Sequence, residues 1–467
     1  MNERTFDLVV LGGGSGGYVA AIRAAQLGLS CVVVEEEKVG GTCLHRGCIP
    51  TKALLQSAFY LDMTLLATKY GVHAQSVHFA YPEAAKQRDA VVGQLHRGVE
   101  FLLKKNHVER IDGTGRLADA HHVTVSRKDG STEVVEGKHI LIATGSVPKV
   151  PQGIEVQPPF VVTSDELLFR EALPKSLIVL GAGAVGVEFA SMYKSFGIDV
   201  TLIEMAPRLV PLEDAAVGKE LLRAFTARGI TCHVGAAMDL AATRVGKDSV
   251  TVQMTRDGKT EHITAEVLLL AIGRTPRSNG IGLDDAGVKL ERGFVQVNAM
   301  QQTSVPHIYA VGDVAGGFLL AHKAMHQGIV AAEHIAGRTP FPLEPMHVTR
   351  TTYCSPQIAS VGLSEEEAKA AGYDVATGTM PFTANGRALA WGNAEGFCKV
   401  VADTKTDTVL GVHLIGHEVT ELIYGPGLAT LIEATPYELS HAVAPHPTLT
   451  EVIGEAALAV SGEAIHI

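Results

Sequence analysis

A chain of 467 residues with 46% hydrophobic side chains is too long for one core and rich enough to fill roughly three domains. Its net charge of −11, spread over interleaved acids and bases with no long basic run, excludes a nucleic-acid or anionic-membrane surface. No charge-free apolar stretch is long enough to span a bilayer and no basic leader precedes the first strand, so a cytoplasmic protein is expected.

A strand over Asp7–Leu11 runs into Gly12-Gly13-Gly14-Ser15-Gly16-Gly17, followed by a helix over Tyr18–Leu27 and a strand over Cys31–Glu35. This is G-x-G-x-x-G between strand and helix, with an acid, Glu35, 18 residues after the third glycine. In a βαβ unit that pattern binds a dinucleotide. Gly12 permits the tight turn, Gly14 lets the backbone approach a pyrophosphate, and Gly17 lets helix and strand pack closely. The helix N-terminus offers free N–H groups to the phosphates, and Glu35 can accept from a ribose diol.

Directly afterwards comes Gly40-Gly41-Thr42-Cys43-Leu44-His45-Arg46-Gly47-Cys48-Ile49-Pro50-Thr51-Lys52. Cys31, Cys232, Cys354 and Cys398 are scattered and read as small core hydrophobes; Cys43 and Cys48 form the one close pair. Ile49-Pro50-Thr51-Lys52 reads as a helix start, with proline in the first turn. Cys48 then sits at a helix N-terminus, where the dipole favours a thiolate, and Lys52 adds a positive charge one turn on. A thiol pair beside a nucleotide cofactor outlines a redox enzyme. The alternatives are a structural cross-link or half of a zinc site; zinc needs a second ligand pair at suitable spacing, which the sequence lacks.

A helix over Ala84–Lys105 follows, and its stripe of Val91, Val92, Leu95, Val99, Leu102 and Leu103 reads as core packing. A strand over His139–Ala143 closes the unit on Ala143-Thr144-Gly145. The pattern then repeats. The strand Leu177–Leu180, the loop Gly181-Ala182-Gly183-Ala184-Val185-Gly186, the helix Val187–Phe196 and the strand Val200–Glu204 match the first copy at an offset of 169 residues. Val267–Ala271 closes this copy on Ala271-Ile272-Gly273. The first copy is 41 residues longer, room for the cysteine segment and its helices. Two dinucleotide sites mean two redox partners. The cysteine pair lies in the first copy, which assigns a permanently held flavin there and an exchanging nicotinamide to the second. Glu204 repels a 2′-phosphate, so NAD is expected rather than NADP, although Arg208 nearby works against that preference.

Three further runs complete the picture: Ile308-Tyr309-Ala310-Val311-Gly312-Asp313, Ala321-His322-Lys323-Ala324 and His446-Pro447-Thr448-Leu449-Thr450-Glu451. With the motifs above, and over essentially the whole chain, they resemble the flavoprotein pyridine nucleotide-disulfide oxidoreductases, and within them the lipoamide dehydrogenases. The resemblance implies an α/β fold with two Rossmann-like dinucleotide-binding domains and an α+β C-terminal dimerisation domain. Residues 1–150 would bind FAD and carry the redox disulfide, 151–275 would bind NAD, 276–345 would complete the FAD site, and 346–467 would form the interface of a homodimer.

The resemblance also implies residue roles. Cys48 would lie against the flavin as the charge-transfer thiolate, and Cys43 would exchange with the substrate disulfide. Lys52 and Glu188 would pair near the reactive edge of the flavin, and Asp313 would bind its ribityl chain. Thr42, Thr144, Gly145, Ser146 and Ala321 would line the flavin, and Gly273 the nicotinamide nucleotide. His446, oriented by Glu451, would be the acid/base and come from the other subunit, whereas His322 would contribute backbone only. The implied reaction oxidises dihydrolipoamide on the acyltransferase of a 2-oxo acid dehydrogenase complex, or on a glycine-cleavage carrier, and reduces NAD+; no metal takes part. Many lipoamide dehydrogenases have a second histidine where this chain has Ala444, and His441 lies further off. The C-terminal Ala464-Ile465-His466-Ile467 has no cysteine pair, which counts against a mercuric reductase. A glutathione-type reductase using NADPH and a mainly structural flavoprotein docked in a multienzyme core stay open as rivals.

Overall fold

The computed structural model describes residues 4–467. Tertiary contacts gather them into two compact units. One holds the residues up to Ala53, Glu83–Pro148 and Arg274–Pro345; the other holds Leu54–Pro82, Lys149–Gly273 and Met346–Ile467.

The first unit is built on a seven-stranded sheet. Its strands run in the order Glu109–Asp112, Cys31–Glu35, Arg4–Leu11, Thr132–Ile142, His122–Ser126 and Thr114–Leu117, and Ile308–Ala310 also pairs with Thr132–Ile142. The central strands are parallel, with Val9 opposite Val32 on one side and Ile140 on the other. Their runs of Val, Ile and Leu suit strands covered on both faces. Val9, Leu11, Val32, Val34, Ile140 and Ile142 pack on one face. Leu8, Val10, Val33 and Leu141 pack on the other, together with Ala20, Ala21 and Ala24 from the crossover helix Ser15–Gln26. Burying each such aliphatic side chain contributes about 1.5–3 kcal/mol.

Two sequence expectations change here. The strand expected over His139–Ala143 spans Thr132–Ile142, because its first half pairs antiparallel with His122–Ser126 as a hairpin. That half carries the polar Glu133, Glu136 and Lys138 between its valines. The apolar stripe of the helix Tyr81–Lys105 is core packing only in part. Val99 and Leu103 are buried, but Leu95 and Leu102 are exposed.

The second unit contains a five-stranded parallel sheet in the order Thr231–His233, Asp199–Ile203, Ser176–Leu180, Val267–Leu270 and Val161–Val162. A three-stranded antiparallel sheet, Ala237–Val245, Val250–Arg256 and Lys259–Ala265, packs its inward side chains onto one face of it. The C-terminal part is a five-stranded antiparallel sheet, Arg350–Thr352, Gln357–Gly362, Thr408–Gly416, Phe397–Asp403 and Val375–Pro381. Its core includes Val452, Ile453, Ala456 and Ala457 of the helix Glu451–Leu458.

The repeat read from the sequence holds at atomic detail. Gly12 N–H donates to Val34 O and Gly181 N–H to Ile203 O, at 2.9 and 2.8 Å. Ala143 N–H donates to Leu11 O and Ala271 N–H to Leu180 O, both at 2.8 Å. Gly12 and Gly181 take φ of 97° and 101°, which an L side chain rarely adopts. Among the described residues no helix is long and apolar enough to cross a membrane.

Candidate active site

The first glycine loop is drawn tight by Glu35, which accepts from Gly13 N–H at 2.7 Å and from Glu37 N–H at 2.9 Å. The helix Ser15–Gln26 starts directly after Gly14 with no side-chain cap, so its first N–H groups stay available for an anion. A Cβ on Gly12 would overlap Ala143 O, and one on Gly17 would overlap Gly12 O. A Cβ on Gly14 would meet nothing nearer than Gly41 Cα at 3.9 Å. That opening is the cradle a pyrophosphate needs.

The cysteine segment is laid on this loop by backbone. Gly40 N–H donates to Gly13 O at 2.8 Å, and a Cβ on Gly41 would stand 2.6 Å from Gly14 Cα. Gly40 and Gly41 have φ of 106° and 61°, so the close approach needs glycine twice over. Thr42 and Cys43 sit in the short helix Gly41–Arg46, Gly47 breaks it, and Cys48 opens the helix Cys48–Leu66. Thr51 N–H closes the first turn onto Gly47 O at 3.1 Å. Cys43 and Cys48 are joined as a disulfide, Cα to Cα 4.7 Å, and both are half-buried. The other cysteines form no disulfide; burial pushes Cys31 up to about 12, Cys232 up to about 11 and Cys398 higher still. Thiols that resist ionisation are poor nucleophiles. Lys52 lies one helical turn beyond Cys48.

Opposite, the closing strand delivers Thr144, Gly145 and Ser146. Thr144 Oγ1 donates to Arg277 O at 2.7 Å, and Gly145 O accepts from Arg277 N–H at 2.9 Å. Ser146 Oγ donates to the Asp313 carboxylate and accepts from Arg274 Nε at 2.7 Å, while Arg274 Nε stands 3.8 Å from Asp313. Asp313 sits in the single turn Gly312–Ala315, and Gly312 N–H donates to Gln327 Oε1 at 2.9 Å. Ala321 is the first residue of the helix Ala321–Ile335, which also starts without a side-chain cap. Arg274, Arg277 and Gln327 were missed from sequence. The one available signal was that Arg274 directly follows the closing Gly273.

The second glycine loop repeats the first. Glu204 accepts from Ala182 N–H at 2.6 Å and from Ala206 N–H at 2.7 Å. A Cβ on Gly186 would overlap Gly181 O, whereas one on Gly183 would meet nothing within 4 Å. Arg208 is engaged by Glu366 through two contacts, of 3.0 and 2.7 Å. That bond raises the guanidinium's pKa further and occupies the group that could have met a 2′-phosphate. Glu188 is buried and accepts from Tyr353 N–H at 2.8 Å. His446 Nδ1 lies 2.8 Å from Glu451 Oε1, and Glu451 Oε2 accepts from Thr448 N–H at 2.8 Å. Burial would raise the Glu451 carboxyl, but the bonds from His446 and Thr448 outweigh it and hold the group below its usual range.

Residues 6–328 match the Pyridine nucleotide-disulphide oxidoreductase family, and residues 348–457 match that family's dimerisation domain. The chain belongs to the pyridine nucleotide-disulphide oxidoreductases. A dihydrolipoyl dehydrogenase of Bacillus subtilis is 46% identical over 99% of both chains. One of Chlorobaculum tepidum is 44% identical over 97% of this chain and 96% of its own. Among solved structures, LpdA from Mycobacterium tuberculosis superposes with a TM-score of 0.90 at 29% identity, covering 97% of this chain and 99% of that one. The copper(II) complex of the flavoprotein disulfide reductase RclA from Escherichia coli gives 0.86 at 26%, covering 98% and 99%. The fold is thus the α/β architecture with two dinucleotide-binding domains and a C-terminal dimerisation domain that the sequence led one to expect. Membership in the pyridine nucleotide-disulphide oxidoreductases implies FAD and NAD as cofactors. Both glycine loops fit such dinucleotides, since each pairs an uncapped helix N-terminus with an open glycine Cα.

Proposed function

We propose that this chain is a dihydrolipoyl dehydrogenase: it oxidises a protein-bound dihydrolipoyl group and reduces NAD+ to NADH, releasing one proton. The observation that carries this is the Cys43–Cys48 disulfide fastened by Gly40 and Gly41 onto the first dinucleotide loop. The names of the relatives support the substrate.

In this reading His446 holds its proton on Nδ1, because Glu451 as a carboxylate can only accept. The Nε2 lone pair is left to take a proton from one substrate thiol. The resulting thiolate attacks Cys43 Sγ, the disulfide breaks, and its electron pair goes to Cys48 Sγ. The second substrate thiol passes its proton to Cys43 Sγ as it displaces it, and the two substrate sulfurs leave joined as the oxidised dithiolane. Cys48, at a helix N-terminus with Lys52 one turn on, is placed to remain a thiolate. Bound FAD supplies the two-electron relay from this dithiol to the nicotinamide. Glu35 and the Gly12–Gly17 loop, with Thr42, Lys52, Thr144, Gly145, Ser146, Asp313 and Ala321, would hold it, and Glu188 would pair with Lys52. Gly181, Gly183, Gly186, Glu204 and Gly273 would hold NAD. Residues 1–150 and 276–345 serve the flavin, 151–275 the nicotinamide, and 346–467 the dimer, in which His446 reaches Cys43 of the other subunit. The lipoyl group arrives on the acyltransferase of a 2-oxo acid dehydrogenase complex in the cytoplasm, a setting compatible with the lack of a membrane-spanning helix among the described residues.

The decisive test is Cys48→Ser. The variant is expected to keep its flavin and lose lipoamide turnover. Turnover at the wild-type rate would sink the proposal.

A further inference from the structure

Lys323 is a charged residue with no role in the scheme above, yet its side chain is buried, with the residue 5% exposed. It lies in the first turn of the helix Ala321–Ile335. Its ammonium donates to Gly316 O and reaches Gly312 O at 3.5 Å. Both acceptors are backbone carbonyls, which carry no formal charge. They bracket the turn Gly312–Ala315 that presents Asp313. Gln327, one helical turn on, holds the same turn through Gly312 N–H. The helix itself is seated on the first dinucleotide loop. A Cβ on Gly328 would stand 2.6 Å from Gly16 O, and one on Gly16 would stand 3.1 Å from Ala324 O.

A buried ammonium whose hydrogen bonds end on neutral carbonyls carries a desolvation cost that those bonds only partly offset. The strain shows in its acidity: burial pulls Lys323 down to about 8, against the opposing pull of Asp313. Such a charge is relieved by new negative charge nearby, and in a low-dielectric site the attraction is strong. Two-electron reduction of a flavin brings such charge, and electrostatics around the ring tunes its electronics.

We propose that Lys323 is a positioning residue of the flavin site that also sets its electron affinity. The ammonium staples the turn carrying Asp313, and its buried charge favours the reduced flavin. This rests on the reading that the first loop holds FAD.

The test uses Lys323→Gln, Lys323→Met and Lys323→Arg holoproteins in a Cys43→Ser, Cys48→Ser background, so that the flavin alone takes electrons from dithionite. Equilibration with a reference dye gives the ratio of oxidised to reduced flavin. Lys323→Gln and Lys323→Met are expected to shift that equilibrium at least tenfold toward oxidised flavin, about 30 mV for a two-electron couple. Lys323→Arg is expected to restore it to within threefold. FAD affinity of the apoprotein should fall at least tenfold in Lys323→Met and less in Lys323→Gln, which keeps a donor. Should Lys323→Met not fold, Lys323→Gln still reads the charge. An unshifted equilibrium in Lys323→Gln overturns the proposal, as does an Lys323→Arg protein that stays shifted. Weakened FAD binding with no shift also overturns it, because packing alone explains that. A wild-type protein that neither contains nor takes up FAD is a different failure and removes the underlying reading instead.

Discussion

An imidazole open to solvent samples both tautomers, and only one leaves Nε2 free as a base. His446 has an 81% exposed side chain, so nothing but Glu451 selects its tautomer. His446→Gln should therefore slow reduction of the disulfide by about two to four orders of magnitude, read by stopped-flow mixing with dihydrolipoamide. An undiminished rate would assign the proton to another group. Glu451→Gln should give a smaller loss, because the amide no longer enforces Nδ1–H. The Cys43–Cys48 pair and the His446–Glu451 pair were legible in the sequence because each is local. Cys43 and Cys48 share one turn-helix segment, and His446 and Glu451 one loop. Arg274, Arg277 and Gln327 were not legible, because their partners Ser146, Thr144 and Gly312 are distant in sequence or carry no periodic signal.

The two glycine loops make opposite demands at neighbouring positions, and that separates folding from binding. A Cβ at Gly17 or Gly186 drives into the carbonyl of Gly12 or Gly181. Backbone cannot yield as a side-chain tip can, so Gly17→Ala and Gly186→Ala should each lose about 1–3 kcal/mol of stability or more in urea unfolding. A Cβ at Gly183 meets no protein atom within 4 Å, so Gly183→Ala should unfold at the wild-type urea midpoint. It should still raise the KM for NAD+ by about tenfold, because the methyl group intrudes where the backbone must meet phosphate. An unchanged KM would place the nucleotide elsewhere. This contrast was visible in the G-x-G-x-x-G spacing, since the loop geometry follows from local strand-turn-helix chemistry. The exposure of Leu95 and Leu102 was not, because helical periodicity marks an apolar face without saying what covers it. The Thr132–Ile142 hairpin was hidden for a related reason. Asp129-Gly130 marks its turn, but the first half of the strand mixes Glu133, Glu136 and Lys138 with valines, and its partner is chosen by tertiary pairing.

At the scale of the molecule, the second unit hides ionic groups that tie its segments together. Lys399 bonds both oxygens of Asp214 at 3.0 Å and Glu365 at 2.7 Å, with Asp214 only 1% exposed. Burial alone would raise Asp214, but the Lys399 bonds, His413 and the Ala216 N–H together outweigh it and its carboxyl is held low. Burial would likewise lower Lys399, and Glu365 and Asp214 together hold it high. A depressed acid stabilises above its unfolded pKa of ~3.9 and loses that contribution as the pH falls through the folded value. An elevated lysine stabilises below ~10.4 and loses its contribution as the pH rises through its folded value. This cluster's own contribution, read as the difference in urea midpoint between wild type and Lys399→Met, should hence be flat between these limits and fall beyond both. Lys399→Met, which strands a buried carboxylate, should cost about 3–5 kcal/mol near neutral pH. The same part of the chain carries the family's dimerisation domain and leaves Val443 98% exposed, three residues before His446. If each site takes Cys43 and Cys48 from one subunit and His446 from the other, two dead variants can rescue each other. In a hybrid of Cys48→Ser with His446→Gln, one site combines both defects and the other combines neither. Random re-pairing makes half the dimers hybrids, so a refolded equimolar mixture should regain about one quarter of wild-type turnover. Sites completed within a single subunit would leave the mixture as inactive as its parents, and that result would remove the shared-site arrangement while leaving the disulfide chemistry standing.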